Sequence, residues 1–551
     1  MGIPSFFRHI LQKHKQCIYP WNNAQCTSLF IDFNGIIHQQ AVQITTQMRQ
    51  PAPLIYPYIM QGCFEALIAL IRTTHPQSLV YIAVDGSCPH AKLAQQRKRR
   101  FLNAWTQMRV CENTFWDSNT VTPGTQFMEE LDHFMTKAMP LLKNMFPHIN
   151  YIYTGSDVFG EGEHKIFAYL KQHTETDHAA KSLHLVYGLD ADLILLSLLQ
   201  SEKHRIHLIR ERPQFSIPLG SAFDHHAYCV MDMDILKKAL YETYIPSHTH
   251  VYSPLSMSHF IQDYVILCTF LGNDFLPPLS HFSMRQNDIS LIMEKYHECF
   301  IQDNKDVLER SSILLDQKGK VNIKSLKTLL KKLSESEDEC FQRKAIQEKQ
   351  EKCPPYHITT YVEKYPLFHR PEYTTLIDFS QSGWRMSYYH VLFSLEKKNT
   401  SSLIKDVCKN YTQGLQWIVD YYIHQNVQLD WYFRFIHAPT LLDICNFLTF
   451  DDDAHAQAFY VSNDTFLECM RLPNMHLLMV LPPQSGYLIR DDACRALMFN
   501  PALGCMVYYP QDFKLDSFAK HMTWECTPIV PHPPLAYIKQ KYNKHVLKSA
   551  S

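Results

Sequence analysis

Across residues 1–300 one arrangement recurs: a short apolar run, rich in β-branched and aromatic side chains, halts at an acid or a glycine and passes into a helical stretch. The segments "SLFIDFNGIIHQQ", "LVYIAVDG", "INYIYTGSD" and "LHLVYGLDADLILLSLL" carry it. The alternation predicts an α/β fold with a mostly parallel sheet and flanking helices. Open parallel sheets bind ligands beyond the carboxyl ends of their strands. Asp32, Asp85 and Asp190 all fall there, so the strand ends outline a site.

Charged, helix-forming sequence replaces this pattern at 303–352 and predicts an amphipathic connector between a core, 1–302, and a second region, 353–551. In the second region "GWRMSYYHVLFSL" and "GLQWIVDYYIHQNVQLDWYFRFIHAP" have a helical period and many aromatics. Beyond residue 473, proline mixes with strand-like runs. A hydrophobic content of 46% over 551 residues assures a sizeable core. The net charge of -1 offers no global attraction to polyanions, so any nucleic-acid binding requires a local cluster. Sixteen cysteines without a C-x-x-C pair read as reduced thiols, placing the protein in the cytoplasm first and the nucleus second. No signal peptide is recognisable, and no apolar run is expected to approach the ~18 residues of a membrane span.

Five segments carry acids where a strand or helix terminus exposes them: Asp32, Asp85, Glu161 with Glu163, Asp190 with Asp192, and Asp274. Each alone reads as a solvated loop. Together they are harder to dismiss, because Asp190 and Asp192 lie between two very apolar stretches, where unneeded charge is costly. Carboxylates gathered in a cleft repel one another, and hard divalent cations, Mg²⁺ or Mn²⁺, relieve the repulsion. Two such cations about 4 Å apart can activate a water and stabilise the leaving oxygen of a phosphodiester. An extended backbone would project Glu161 and Glu163 in one direction at period two.

"KLAQQRKRR", residues 92–100, holds five cations. On a helix Lys92, Gln96, Arg99 and Arg100 share a face. In isolation that face is a solvated surface or a localisation signal. Beside an acid-lined cation site it makes a pocket for a terminal phosphate, which implies an exonuclease.

With these motifs assembled, the chain resembles the Xrn-type 5′-to-3′ exoribonucleases. "MGIPSFFRHI", "DFNGIIH", "DGSCPHAKLAQQRKRRF", "TPGTQFM", "GEGEHKI", "YGLDADLILLSL" and "FLGNDFLPPL" carry the resemblance in the first half, and "GWRMSYY", "GLQWIVDYY", "WYFRFIHAP" and "YYPQDFKLD" in the second. The resemblance implies a nuclease core of PIN or flap-nuclease type and a mostly helical second region. It implies that Asp32, Asp85, Glu161, Glu163, Asp190, Asp192 and Asp274 hold two divalent cations, Mg²⁺ or Mn²⁺. It further implies that Lys92, Gln96, Arg99 and Arg100 bind a 5′-monophosphate, and that His38 and a tryptophan, Trp417 in preference to Trp431, stack on bases. The implied substrate is single-stranded RNA with a 5′-monophosphate, degraded to mononucleotides as in mRNA decay. Decapping or other RNA-processing proteins are the implied partners of a monomer. The segment "GIPSFF" is expected near the entrance, excluding duplex. The expected departures are a chain that ends soon after the second block, as in compact members from large DNA viruses, an absent zinc knuckle, and an altered "WYFRFIHAP" surface. The alternatives are a structure-specific flap-endonuclease-like enzyme and an inactive RNA 5′-end-binding protein. His164 and Lys165 have no assigned role.

Overall fold

The computed structural model describes residues 2–22, 24–48, 50–110, 116–173, 182–212, 227–245, 255–301, 312–350, 360–393, 400–448, 462–472 and 474–547. Strands β1 (Ile18–Pro20), β2 (Cys26–Asp32), β3 (Pro76–Ala83), β4 (Asn150–Thr154), β5 (Leu183–Tyr187), β6 (Arg205–Glu211) and β7 (Tyr228–Asp232) form one sheet in the order β1-β7-β6-β5-β2-β3-β4. Strands β2 to β6 are mutually parallel, β7 is antiparallel to β6, and β1 is antiparallel to β7. The mostly parallel α/β sheet expected from the sequence is therefore present.

The chain steps from β2 to β3 to β4 in one direction, then returns to lay β5 on the other side of β2. Strand order thus reverses between β2 and β5, which opens a crevice at their carboxyl ends. Side chains alternate across the sheet and feed two cores. Phe30, Tyr81 and Val186 join one; Leu29, Ile31, Val80, Ile82, Leu185 and Tyr187 join the other.

The helices of the first half are α1 (Phe6–Lys13), α2 (Asn34–Met48), α3 (Ala52–Thr74), α4 (His90–Val110), α5 (Gln126–Met145), α6 (Gly162–Gln172) and α7 (Asp192–Gln200). Residues of α2, α3 and α5 cover the Leu29 face, and residues of α6 and α7 cover the Phe30 face. Helix α3 corrects one expectation: its 23 residues are long and apolar enough, by length and composition, to cross a membrane. Half of its most apolar window is buried within the fold, with Ile55, Ile59, Leu67 and Ile71 packed against the sheet.

The charged stretch at 303–352 contains two helices, Ile323–Ser334 and Glu337–Gln350. Leu326, Leu329, Leu330 and Leu333 enter the same core as Phe30, so the first of these helices packs within the body of the protein. The second region is mostly helical. Beyond residue 473 the described strands amount to one two-residue antiparallel pair, Leu515–Asp516 with Thr527–Pro528. Arg97 of α4, 1% exposed, donates to the carbonyls of Met479 (3.2 Å) and Tyr508, tying this terminal part to the core.

Candidate active site

Asp32 ends β2, and Asp85 follows β3 by two residues. Asn34, at the start of α2, locks the second to the first: its Nδ2 donates to Asp85 Oδ2 (2.9 Å), and the Asp85 backbone N–H donates to Asn34 Oδ1 (3.0 Å). Glu161 and Glu163 do not sit on an extended segment. Glu161 is the N-cap of α6, and Glu163 lies in that helix's first turn. Asp192 likewise opens α7. Helix N-termini favour negative charge, which gives a crowded set of carboxylates some local compensation.

Two glycines let backbone approach these acids. The N–H of Gly162 donates to Asp85 Oδ1 (2.7 Å), and a Cβ at this position would lie 2.9 Å from Asp32 Oδ1. Gly2, at φ +74°, donates its N–H to Asp274 Oδ1 (3.1 Å), and a Cβ there would lie 2.2 Å from Asp192 Oδ1. The segment expected at an entrance thus begins inside the acid cluster.

Electrostatics bind the set together. Burial and the charges of Asp85, Asp190 and Glu161 hold the Asp32 carboxyl well above the usual range. Burial, then Asp192, raises Glu163 in the same way. Asp192 is pushed up to about 7 by burial and by Asp274. Burial raises Glu161 as well, although Lys92 pulls against it. At Asp190 burial opposes ionisation, but the neighbouring positive charges of Lys92 and Arg99 contribute to a net lowering.

All seven acids are therefore brought into one electrostatic neighbourhood. The oxygens Asp32 Oδ1 and Glu163 Oε2 are buried without a hydrogen-bond partner. Ligand atoms of Glu161, Glu163 and His164 lie within 4.8 Å of one another. An oxygen-rich donor set with unmet buried lone pairs fits a hard divalent cation.

The expected phosphate-binding face of α4 points inward. Lys92, 4% exposed, pairs with Glu161 Oε1 (2.8 Å) and Asp274 Oδ2 (3.0 Å), so it belongs to the acid cluster's edge. Arg100, also buried, donates to Gln96 Oε1 (3.0 Å) and Thr122 Oγ1 (2.8 Å). Among the described residues its hydrogen bonds reach neutral oxygens only, and burial together with Arg99 pushes it down to about 9. A buried guanidinium without a carboxylate partner favours an incoming anion. Arg99 is half-buried. His38, exposed on α2, stands within Coulombic reach of Arg99, Arg100 and Asp190.

Trp417 and Trp431 are 3% and 5% exposed. Trp417 stacks on Trp431 (centroids 5.3 Å apart) and on Tyr421 (4.8 Å). Both indoles are thus buried against neighbouring rings rather than presented to solvent. Their burial is set by contacts between distant segments, which sequence spacing does not encode.

Other functional residues escape sequence reasoning. The helix Thr400–Val419 runs into a π-helical turn, Asp420–His424. From that turn the Tyr421 hydroxyl donates to Glu161 Oε2 (2.5 Å) and the Tyr422 hydroxyl to Asp192 Oδ1 (3.0 Å). Burial, then the nearby carboxylates, holds both phenols well above their usual pKa, so they remain donors. Lys165 donates to the carbonyls of Val84 (2.7 Å) and Gly155 (2.9 Å), clamping the chain beyond β3 to the chain beyond β4. His164 packs on Tyr421 with centroids 3.8 Å apart and is pushed down to about 3 by burial and Lys92.

Residues 1–212 match the family model described as XRN 5'-3' exonuclease N-terminus, and residues 254–370 and 359–533 match that described as Xrn1 helical domain. The chain belongs to the Xrn family. This Xrn-family chain is similar to 5'-3' exoribonuclease 1 of Schizosaccharomyces pombe, at 24% identity over 96% of its own length and 47% of the relative's. It is similar to human 5'-3' exoribonuclease 1, at 25% identity over 96% of its own length and 33% of the relative's. The chain thus spans less than half the length of either relative. A solved structure of the catalytic core of Rad2 in complex with DNA substrate aligns over 81% of this chain and 94% of that one, with a TM-score of 0.31 and 12% identity.

Proposed function

We propose that this protein is a 5′-to-3′ exoribonuclease that hydrolyses single-stranded RNA from a 5′-monophosphorylated end, using two divalent cations. The observation that carries the reading is the meeting of seven carboxylates from five segments with the inward face of α4, where Lys92 touches the acids and the hydrogen bonds of Arg100, among the described residues, reach neutral oxygens. Family membership and relatives named as 5'-3' exoribonucleases support it.

Asp32, Asp85, Glu161, Glu163, Asp190, Asp192 and Asp274 would hold the cations. When bound, two Mg²⁺ or Mn²⁺ ions supply an activated attacking water and stabilise the departing oxygen. Gln96, Arg99 and Arg100, with Lys92 at the boundary, receive the terminal phosphate and so fix which internucleotide bond reaches the acids. Positioning of this kind converts a chance encounter into an oriented one. His38, on α2 beside the acids, stacks on a base next to that bond. Water adds to phosphorus, the P–O3′ bond of the first nucleotide breaks, and O3′ leaves with a proton. The products are a 5′-mononucleotide and an RNA one residue shorter. The shortened RNA carries a new 5′-monophosphate, which suits the same pocket again.

Matched RNAs bearing 5′-hydroxyl, monophosphate, triphosphate and cap ends test the reading in Mg²⁺. The monophosphate alone should decay rapidly to mononucleotides. Equal decay of all four, or internal cleavage, would overturn the terminal pocket and favour a flap-endonuclease-like enzyme. Binding of the monophosphorylated end without turnover would favour an end-binding protein.

A further inference from the structure

Successive side chains on an α-helix diverge by about 100°, yet Tyr421 and Tyr422 both reach the acid cluster. They do so from the π-helical turn Asp420–His424, a distortion that recurs at functional sites. Their rings stand 5.3 Å apart and nearly perpendicular, so one hydroxyl meets Glu161 and the other meets Asp192. Each phenol engages one carboxylate oxygen. The other oxygen of Glu161, Oε1, faces Lys92.

The rings are firmly held. Trp417 stacks on Tyr421 at an interplanar angle of 17°, Trp431 backs Trp417, and His164 packs on Tyr421 at 48°. Phe275 meets the rings of Trp417 and Tyr421 edge-on, each at 4.8 Å. The Trp417 indole N–H donates to the Gln428 carbonyl (2.8 Å), which fixes that ring in turn. Gly414 makes room for the column, because a Cβ there would lie 2.8 Å from the Trp431 ring. The aromatic residues thus form a buried buttress behind two hydroxyls.

We propose that Tyr421 and Tyr422 are positioning residues of the cation site, holding the carboxylates of Glu161 and Asp192 in the rotamers that turn them toward the other cluster acids. The proposal rests on the reading of the seven acids as cation ligands. Partners that orient a ligand in this way commonly contribute about 10- to 100-fold in metal affinity or activity. It also gives Trp417 and Trp431 a role as the wall behind Tyr421.

The test uses the full chain and needs no RNA in its first arm. Mn²⁺ is titrated calorimetrically into wild type, Tyr421→Phe, Tyr422→Phe and the control Tyr388→Phe, whose hydroxyl donates to the Ala438 carbonyl (2.8 Å). Each active-site variant should bind Mn²⁺ about 10- to 100-fold more weakly, and the control should match wild type. In the second arm the Mg²⁺ concentration giving half-maximal turnover should rise by a similar factor. Excess Mg²⁺ should restore kcat, with KM for RNA unchanged. Wild-type Mn²⁺ affinity in both Phe variants, or lost turnover that no Mg²⁺ concentration restores, overturns the proposal. If Tyr421→Phe fails to fold, Tyr422→Phe decides alone through Asp192. Failure of wild type itself to bind Mn²⁺ would instead overturn the cation-site reading.

Discussion

Lys92 and Asp274, 182 residues apart in the chain, meet in an ion pair of 3.0 Å, and the same ammonium reaches Glu161 at 2.8 Å. One cation therefore joins the inward face of α4 to the acid cluster. Burial pulls the Lys92 pKa down, but the charges of Glu161 and Asp274 outweigh it and hold the ammonium well above its usual range.

Lys92→Met should destabilise the protein by about 3–5 kcal/mol, the cost of leaving buried charges unpaired. Thermal melts in chelator measure the loss. Adding Mg²⁺ should recover part of it, because a divalent cation can neutralise Glu161 and Asp274 in place of the ammonium.

Asp190→Ala together with Asp192→Ala should abolish turnover while RNA binding survives, as read by gel-based decay and fluorescence anisotropy. The binding face on α4 is left intact by these changes. Retained hydrolysis would remove both acids from the cation site.

Asp192 supplies a pH test. Its carboxyl is raised from 3.8 to about 7 in the folded state, so the fold gains most from this group below pH 3.8 and loses that gain as pH rises through 7. In chelator, Asp192→Asn should therefore raise the melting temperature relative to wild type at pH 8 and leave it unchanged at pH 3.5. Saturating Mg²⁺ should reverse the order at pH 8, since only wild type offers the carboxylate.

Arg100→Gln should raise KM for 5′-monophosphorylated RNA by roughly 10- to 100-fold, the range of a lost charge-assisted hydrogen bond. Decay of 5′-hydroxyl RNA should change far less. Steady-state kinetics on the paired substrates distinguish loss of phosphate recognition from general damage, which would lower both.

The strand ends were the most legible part of the site. Asp32, Asp85 and Asp190 follow β-rich apolar runs, and a parallel sheet places such positions together whatever lies between them. Glu161 and Glu163 were legible as acids but not as geometry, because a helix beginning at Gly162 replaces the expected extended segment. Trp417 and Trp431 are ambiguous in sequence, since an indole suited to stacking on a base is equally suited to the packing against neighbouring rings seen here. Tyr421 and Tyr422 were illegible for a related reason. Their contacts depend on a local π-helical distortion and on carboxylates 260 and 230 residues away. The apolar length of α3 is hard to read in sequence because scattered polar residues interrupt the run locally but not on average.

The aromatic turn also bears on how the protein comes into being. A growing polypeptide acquires its last cluster acid at residue 274, yet must extend to 421 and 422 before either phenol exists. Any translation product that stops in between carries carboxylates with no brace behind them. The acids and their hydroxyl donors are therefore complete together only once the second region has been made.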